Sequence, residues 1–206
     1  MTPPPLPTVR RALRLAAALL FVIAATLIAL IAAGVFDPQP SGPLVSRIGP
    51  GPLSLEGSGE MLAWQPLPWA AAPARYTVRL TAAPVAGEMD SAYGLALGEG
   101  VTLTAAVSPL GEVAVWETAG PGAAPVYHVP WQPWPHVRRG AAANELWLDV
   151  ARNGEQARVT VRINRELLWE GEVAAPGDEV AAWLASFGDG VTVDFQTLDW
   201  FGAPPT

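Results

Sequence analysis

Twenty-two consecutive residues without a charge, Leu15 to Phe36 (LAAALLFVIAATLIALIAAGVF), constrain this chain more than any other feature. At about 1.5 Å per residue such a run makes a helix of about 33 Å, which matches the hydrocarbon core of a bilayer. Residues 15–36 are therefore expected to be a transmembrane helix with the lipid bilayer as its partner. Arg10, Arg11 and Arg14 precede the run and Asp37 follows it. The positive-inside rule then expects residues 1–14 as a short cytoplasmic tail and the remainder on the extracytoplasmic side of the cell membrane. A cleaved signal peptide shares the basic start and apolar middle. The run is longer than the roughly 7 to 15 residues of a signal core, however, and IALIAAGVF offers no clear Ala-x-Ala site. An uncleaved, single-pass signal anchor is the favoured reading.

Residues 37–52 (DPQPSGPLVSRIGPGP) hold five prolines and three glycines, a composition that excludes a regular helix or a central strand. They are expected to be a semi-extended linker leading to a domain over 53–206.

From residue 53 the hydrophobic period is two. In YTVRLT (76–81), Tyr76, Val78 and Leu80 share one face and Thr77, Arg79 and Thr81 the other, as in a half-buried strand. The same alternation recurs in VTLTAAV (101–107), EVAVW (112–116), ELWLDV (145–150), ARVTVRIN (157–164) and VTVDF (191–195). Turn signals separate them: GEG at 98–100, PLG at 109–111, NG at 153–154 and GDG at 188–190. In the closing segment Val191, Val193 and Phe195 share a face, whereas Leu198 and Trp200 hold the opposite phase, which requires one extra, bulged residue. The fold class is all-β, a two-sheet antiparallel sandwich or jelly roll.

The series RYTVRLTAAPVAGEMDSAYGLALG, GEVAVWE, ANELWLDVARNGEQARVTVRINRELLWEGEV and GVTVDFQTLDWFG, spread over roughly 53–202, resembles the laminin-G-like, concanavalin A-like jelly-roll domains found behind bacterial membrane anchors. The resemblance lies in the Tyr93-Gly94-Leu95 segment, in a hairpin around Asn164, and in the closing strand from Phe195 to Trp200. It implies a concanavalin A-like sandwich. The chain departs from the pattern in one turn, with Asn164-Arg165 where Asn-Gly is common.

Composition narrows the chemistry. There is no cysteine and no lysine. Disulfides, thiolate metal sites and thiol nucleophiles are thereby excluded. After residue 36 nine arginines face nineteen acids, a net charge of −10 that argues against nucleic acid as a partner. His128 and His136 stand without the sequence context of a serine nucleophile or a metal-binding helix. Some glycoside hydrolases on this scaffold use E-x-D-x-x-E, but after Glu88 and Asp90 the last position is Tyr93, which cannot serve as the second acid. Glu145 and Asp149 would share a strand face, where alternation also puts polar residues for solubility. Asp90, Asp178, Glu179, Asp189 and Asp194 are oxygen ligands for calcium in principle. They form no recognisable loop, and no cofactor or metal is expected.

Tryptophan is in excess, with nine residues. Trp116 and Trp147 are out of phase with the apolar faces of their own strands and point to a second face. The loop expected over 118–144 carries WQPWPHVRRG. In one reading Trp131 and Trp134 are stacking platforms, with His136, Arg138 and Arg139 beside them as polar partners. In the other, Pro130, Pro133 and Pro135 stiffen the loop, its indoles cap an open end of the core, and the loop covers Trp116 and Trp147. The second is favoured. The functional expectation is a membrane-anchored, non-catalytic binding or adhesion module whose partner is a glycan or an envelope protein. The alternatives are a glycan-active hydrolase on the same scaffold and a structural subunit of an envelope complex.

Overall fold

The computed structural model describes residues 7–69, 72–98, 102–120 and 123–203. Residues 1–6 of the expected tail, the turn at 98–100 beyond Gly98, Val101 and residues 204–206 lie outside the described residues. The chain forms two compact units that meet between Gln39 and Pro40.

The first unit is a helix, α1 (Pro7–Ala32), whose stretch Arg11–Ala32 has a mean hydropathy of 2.9 and is long and apolar enough to cross a membrane. The helix stops four residues short of the expected end at Phe36. Gly34 takes a φ of 69°, where a side chain is disfavoured, and its N–H donates to Ile31 O while Val35 N–H donates to Leu30 O. This paired closure is the Schellman motif, which ends a helix whatever the hydrophobicity that follows.

The second unit is a sandwich of two antiparallel sheets. Sheet A contains β1 (Leu44–Ile48), β13 (Gly190–Gly202), β4 (Arg75–Gly87), β9 (Asn144–Asn153), β10 (Gln156–Ile163) and β11 (Glu166–Ala174) in that order. β2 (Gly51–Glu56) pairs with β13 beside β1. Sheet B runs β3 (Gly59–Pro66), β12 (Glu179–Ser186), β5 (Ser91–Leu97), β6 (Thr102–Val107), β7 (Glu112–Thr118) and β8 (Val126–Pro133).

Every strand expected from alternation is present, and the in-phase residues form the core between the sheets. Tyr76, Val78 and Leu80 of sheet A and Tyr93, Leu95 and Leu97 of sheet B are all fully buried. The bulge required in the closing strand falls at Gln196, between the pairs Phe195–Ala82 and Thr197–Thr81. It brings Phe195, Leu198 and Trp200 to the same core despite their opposite phase.

Two segments differ from expectation. The linker over 37–52 contributes β1 and the start of β2, because proline is compatible with an edge strand and Gly49-Pro50 supplies the break between the two. The loop over 118–144 contains β8, one of the two outer strands of sheet B. Pro130 is accommodated there in an irregularity between the pairs Val115–Val129 and Val113–Gln132, where no ladder hydrogen bond is asked of it.

Candidate functional site

Sheet B has a second face, built from the residues that alternate with its core positions. In β5 these are Ala92, Gly94 and Ala96; in β6, Thr104 and Ala106; in β7, Ala114 and Trp116; in β12, Ala181, Trp183 and Ala185. The register aligns them in rows. One row reads Leu62, Trp183, Gly94, Ala106, Ala114, and the next Trp64, Ala181, Ala96, Thr104, Trp116, Tyr127. Large aromatic side chains thus stand on the outer strands and small ones on the central pair.

The consequence is a groove. β12 and β7 are separated by β5 and β6, about 14 Å of sheet. Trp183 and Trp116 lie down across the small residues between them until their rings meet edge to face at 5.1 Å. Their planes carry the alanines to complete burial, and the two indoles are themselves only 5% and 8% exposed. Trp131 and Tyr127 of β8 pack on Trp116 at 6.1 and 5.9 Å, and Trp64 joins from β3. The resulting groove has a volume of about 960 Å³ and a mainly apolar lining. Its polar groups are hydroxyls, including Thr102, Thr104, Thr118 and Ser58, and two carboxylates, Glu60 and Glu179. The Trp183 indole N–H donates to Glu60 Oε2 at 3.3 Å, which fixes that ring.

The seven residues singled out by sequence fall in different places. Trp116 and Trp131 meet in the groove. Trp147 belongs to β9 on the other sheet, where it is 2% exposed beneath the guanidinium of Arg79, 5.4 Å from its ring centre. The loop over 118–144 therefore shares a site with Trp116 and not with Trp147. Trp134 packs on the main core with its indole N–H buried and unpartnered, so it caps the sandwich. His136 is exposed beside it, with ring centres 5.7 Å apart, and its carbonyl accepts from Asn164. Arg138 borders a smaller polar depression with Asn144, Glu145 and Asn164, and Arg139 runs beside Gly111.

That depression is tied together by Asn144, which is 1% exposed. Its Oδ1 accepts from Arg138 N and Asn164 Nδ2, and its Nδ2 donates to the hydroxyl of Tyr93. Burial, partly offset by the bond from Asn144, pushes the Tyr93 hydroxyl up to about 12.

The carboxylates weighed as catalytic candidates are held by arginines. Asp149 accepts from Thr77 Oγ1 at 2.5 Å and lies 3.6 Å from Arg162, while Glu145 is 3.7 Å from both Arg79 and Arg165. Burial raises the Asp149 carboxyl above its ordinary range despite the bonds from Thr77 and Arg162. On the same face Asp199, 1% exposed, receives both Arg47 and Arg79. Burial pushes its carboxyl up, but the two guanidiniums outweigh this and hold it below the usual carboxylate range. Asp178, one of the calcium candidates, is paired with Arg152. Among the described residues no three His, Cys, Asp or Glu side chains cluster as a metal site.

Trp64, Tyr127 and Trp183 were not among the residues picked from the sequence. β12 and β5 are buried on both faces, so VAAWLAS and SAYGLAL show no apolar–polar alternation to mark a second surface. The available signal was subtler: alanine or glycine at every second position, with tryptophan in the same phase.

No family model matches the chain, and no curated protein matches it. Among solved structures it is similar to the carbohydrate-binding module CBM66 from Bacillus subtilis, at 12% identity over 80% of this chain and 94% of that one, with a TM-score of 0.44. It is also similar to a legume lectin-like domain from Entamoeba histolytica (12% identity, 82% and 91% covered, TM-score 0.47). A third similarity is to sheep galectin-11 (14% identity, 69% and 98% covered, TM-score 0.42). At these identities and scores, ligand and residue roles rest on this chain's own geometry: an N-terminal apolar helix followed by a two-sheet β-sandwich with an aromatic groove on one sheet.

Proposed function

We propose that the sandwich is a non-catalytic binding module that takes an extended glycan in the groove of sheet B. In this reading α1 spans a membrane, the arginines in its first turns stay on the cytoplasmic side, and the sandwich is extracytoplasmic. The sandwich itself is taken as a concanavalin A-like jelly roll, in keeping with the repeated crossing of the chain between its sheets.

The observation that carries the proposal is the convergence of Trp64, Trp116, Tyr127, Trp131 and Trp183 from four strands onto one open face. Flat indoles suit the C–H faces of sugar rings, and the rim of threonine hydroxyls and carboxylates suits their hydroxyl groups. Carboxylate spacing supports binding over hydrolysis. Glu60 pairs opposite Ala185, and Glu179 lies six residues before Ala185 on β12, so the two are separated by about 20 Å. A glycosidase needs its two carboxyl groups within about 5 to 9.5 Å.

The test uses the full chain in detergent micelles, titrated with oligosaccharides and followed by tryptophan fluorescence and calorimetry. Trp131→Ala and Tyr127→Ala, at the outer rim, should each weaken binding at least tenfold with little change in melting temperature. Trp134→Ala should lower the melting temperature and leave affinity unchanged in the folded fraction. Undiminished binding by the two rim variants, or no binding of any glycan, would overturn the proposal.

A further inference from the structure

Charge is divided between the two sheets. All nine arginines after residue 36 fall on β1, β4, β9 or β10, on the turn after β10, or in the segment 134–143. The six strands of sheet B contain no arginine, and the chain has no lysine. On sheet A Asp199, Glu145, Asp149 and Glu170 are each paired with a guanidinium. In the groove they are not. Its lining includes Glu60 and Glu179 and no basic residue among the described ones.

This asymmetry bears on what the groove can hold. An acidic ligand would lie between two carboxylates, lose water on the apolar walls and meet no cation in return, an arrangement that costs free energy at every contact. A ligand bearing ammonium groups gains twice. The carboxylates attract it from the two ends, and tryptophan faces attract a cation through their quadrupoles. Glu60 and Glu179 both belong to the groove face of the β3–β12 pair, about 20 Å apart along the strands. Only an elongated ligand reaches both.

We propose that the groove selects sugar chains that carry free amino groups and no acid group, a selection made by Glu60 and Glu179 over an aromatic floor. This rests on the glycan-binding reading above and adds the charge class of the ligand.

The experiment compares three hexamers on the full chain in detergent at mildly acidic pH and low salt: glucosamine, N-acetylglucosamine and galacturonic acid. Glucosamine hexamer should bind at least tenfold more tightly than the N-acetylated chain, with the acidic chain weakest. Added salt should remove most of that preference, since it screens the carboxylates and not the stacking. Glu60→Gln and Glu179→Gln should erase the preference between the glucosamine and N-acetylglucosamine hexamers, and an unchanged melting temperature shows that these variants are folded; a preference that survives in both folded variants overturns the role of the two carboxylates. Tighter or equal binding of the galacturonic or N-acetylated chain overturns the charge selection and leaves the glycan reading standing. Failure of all three hexamers to bind overturns the charge selection, whereas the glycan reading falls only if neutral oligosaccharides of other composition also fail to bind.

Discussion

The indole of Trp116 meets the indole of Trp183 edge on, at 75° and 5.1 Å, although two whole strands separate their backbones. The contact exists only because Gly94, Ala96, Thr104 and Ala106 leave room beneath it. Ala106→Leu should therefore lower stability by about 1 to 3 kcal/mol through overpacking. Gly94→Ala should be at least as damaging, because its new carbon would sit 2.0 Å from the carbonyl oxygen of Ala105, a backbone atom. Urea unfolding followed by tryptophan emission measures both.

Asp199 makes a second prediction, this one in pH. A carboxyl held below its ordinary range in the fold contributes stability that is present above its unfolded pKa of about 3.9 and is lost as pH falls through the lower folded value. Asp199→Asn should cost about 3 kcal/mol at neutral pH, since Arg79 loses its closest partner in a largely buried setting. That cost should shrink below about pH 4. Asp149 has the opposite sign, because burial raises it, so Asp149→Asn should cost less than Asp199→Asn at neutral pH. Melting temperatures of the three proteins across pH 3 to 7 decide the matter.

The turn Asn164-Arg165 has positive φ at both residues, 51° and 75°, as a type I′ hairpin requires. Arginine is a poor choice there and glycine a good one. Arg165→Gly is expected to raise stability by about 0.5 kcal/mol, the gain in backbone ease exceeding the loss of a loose surface pairing with Glu145. Asn164→Ala should lower it by about 2 kcal/mol, because that side chain accepts from Glu145 N and donates to His136 O and Asn144 Oδ1. Thermal denaturation reports both signs in one experiment.

A charge placed mid-run tests the proposed membrane span. Ile23→Arg adds about 2.5 to 3.5 kcal/mol to the cost of membrane insertion. The variant should shift from the membrane fraction toward the carbonate-soluble fraction. A protein that stays fully membrane-bound would show that α1 is not what holds it there.

The sandwich was legible where one face of a strand is buried and the other is wet. YTVRLT and ARVTVRIN are marked by alternation, and the slipped phase between Phe195 and Leu198 marks the bulge at Gln196. The groove was half legible. Trp116 was correctly placed on a second face, and so was Trp147, yet nothing in a strand's own phase says which sheet it will join. Two residues with the same local signature therefore ended on opposite sides of the molecule. Trp183 was hidden for another reason: its neighbours along β12 on the groove face are alanines, so that face looked like more core. β8 was concealed by its prolines, which forbid a central strand but not an outer one.

β13 has one further consequence, for how the sandwich comes into being. Its first half pairs with β2, its second half with β1, and its whole length with β4. The ion pair from Arg47 to Asp199 alone spans 152 positions of chain. Sheet A therefore lacks the strand between its earliest elements and β4 until residue 202 has left the ribosome. During synthesis β1, β2 and the β4 edge wait with their backbone groups unpaired, a state open to mispairing with other nascent chains. The prolines around β1 and β2 and the arginines on β1 and β4 suit that interval, since both discourage edge-to-edge association while the final strand is still being made.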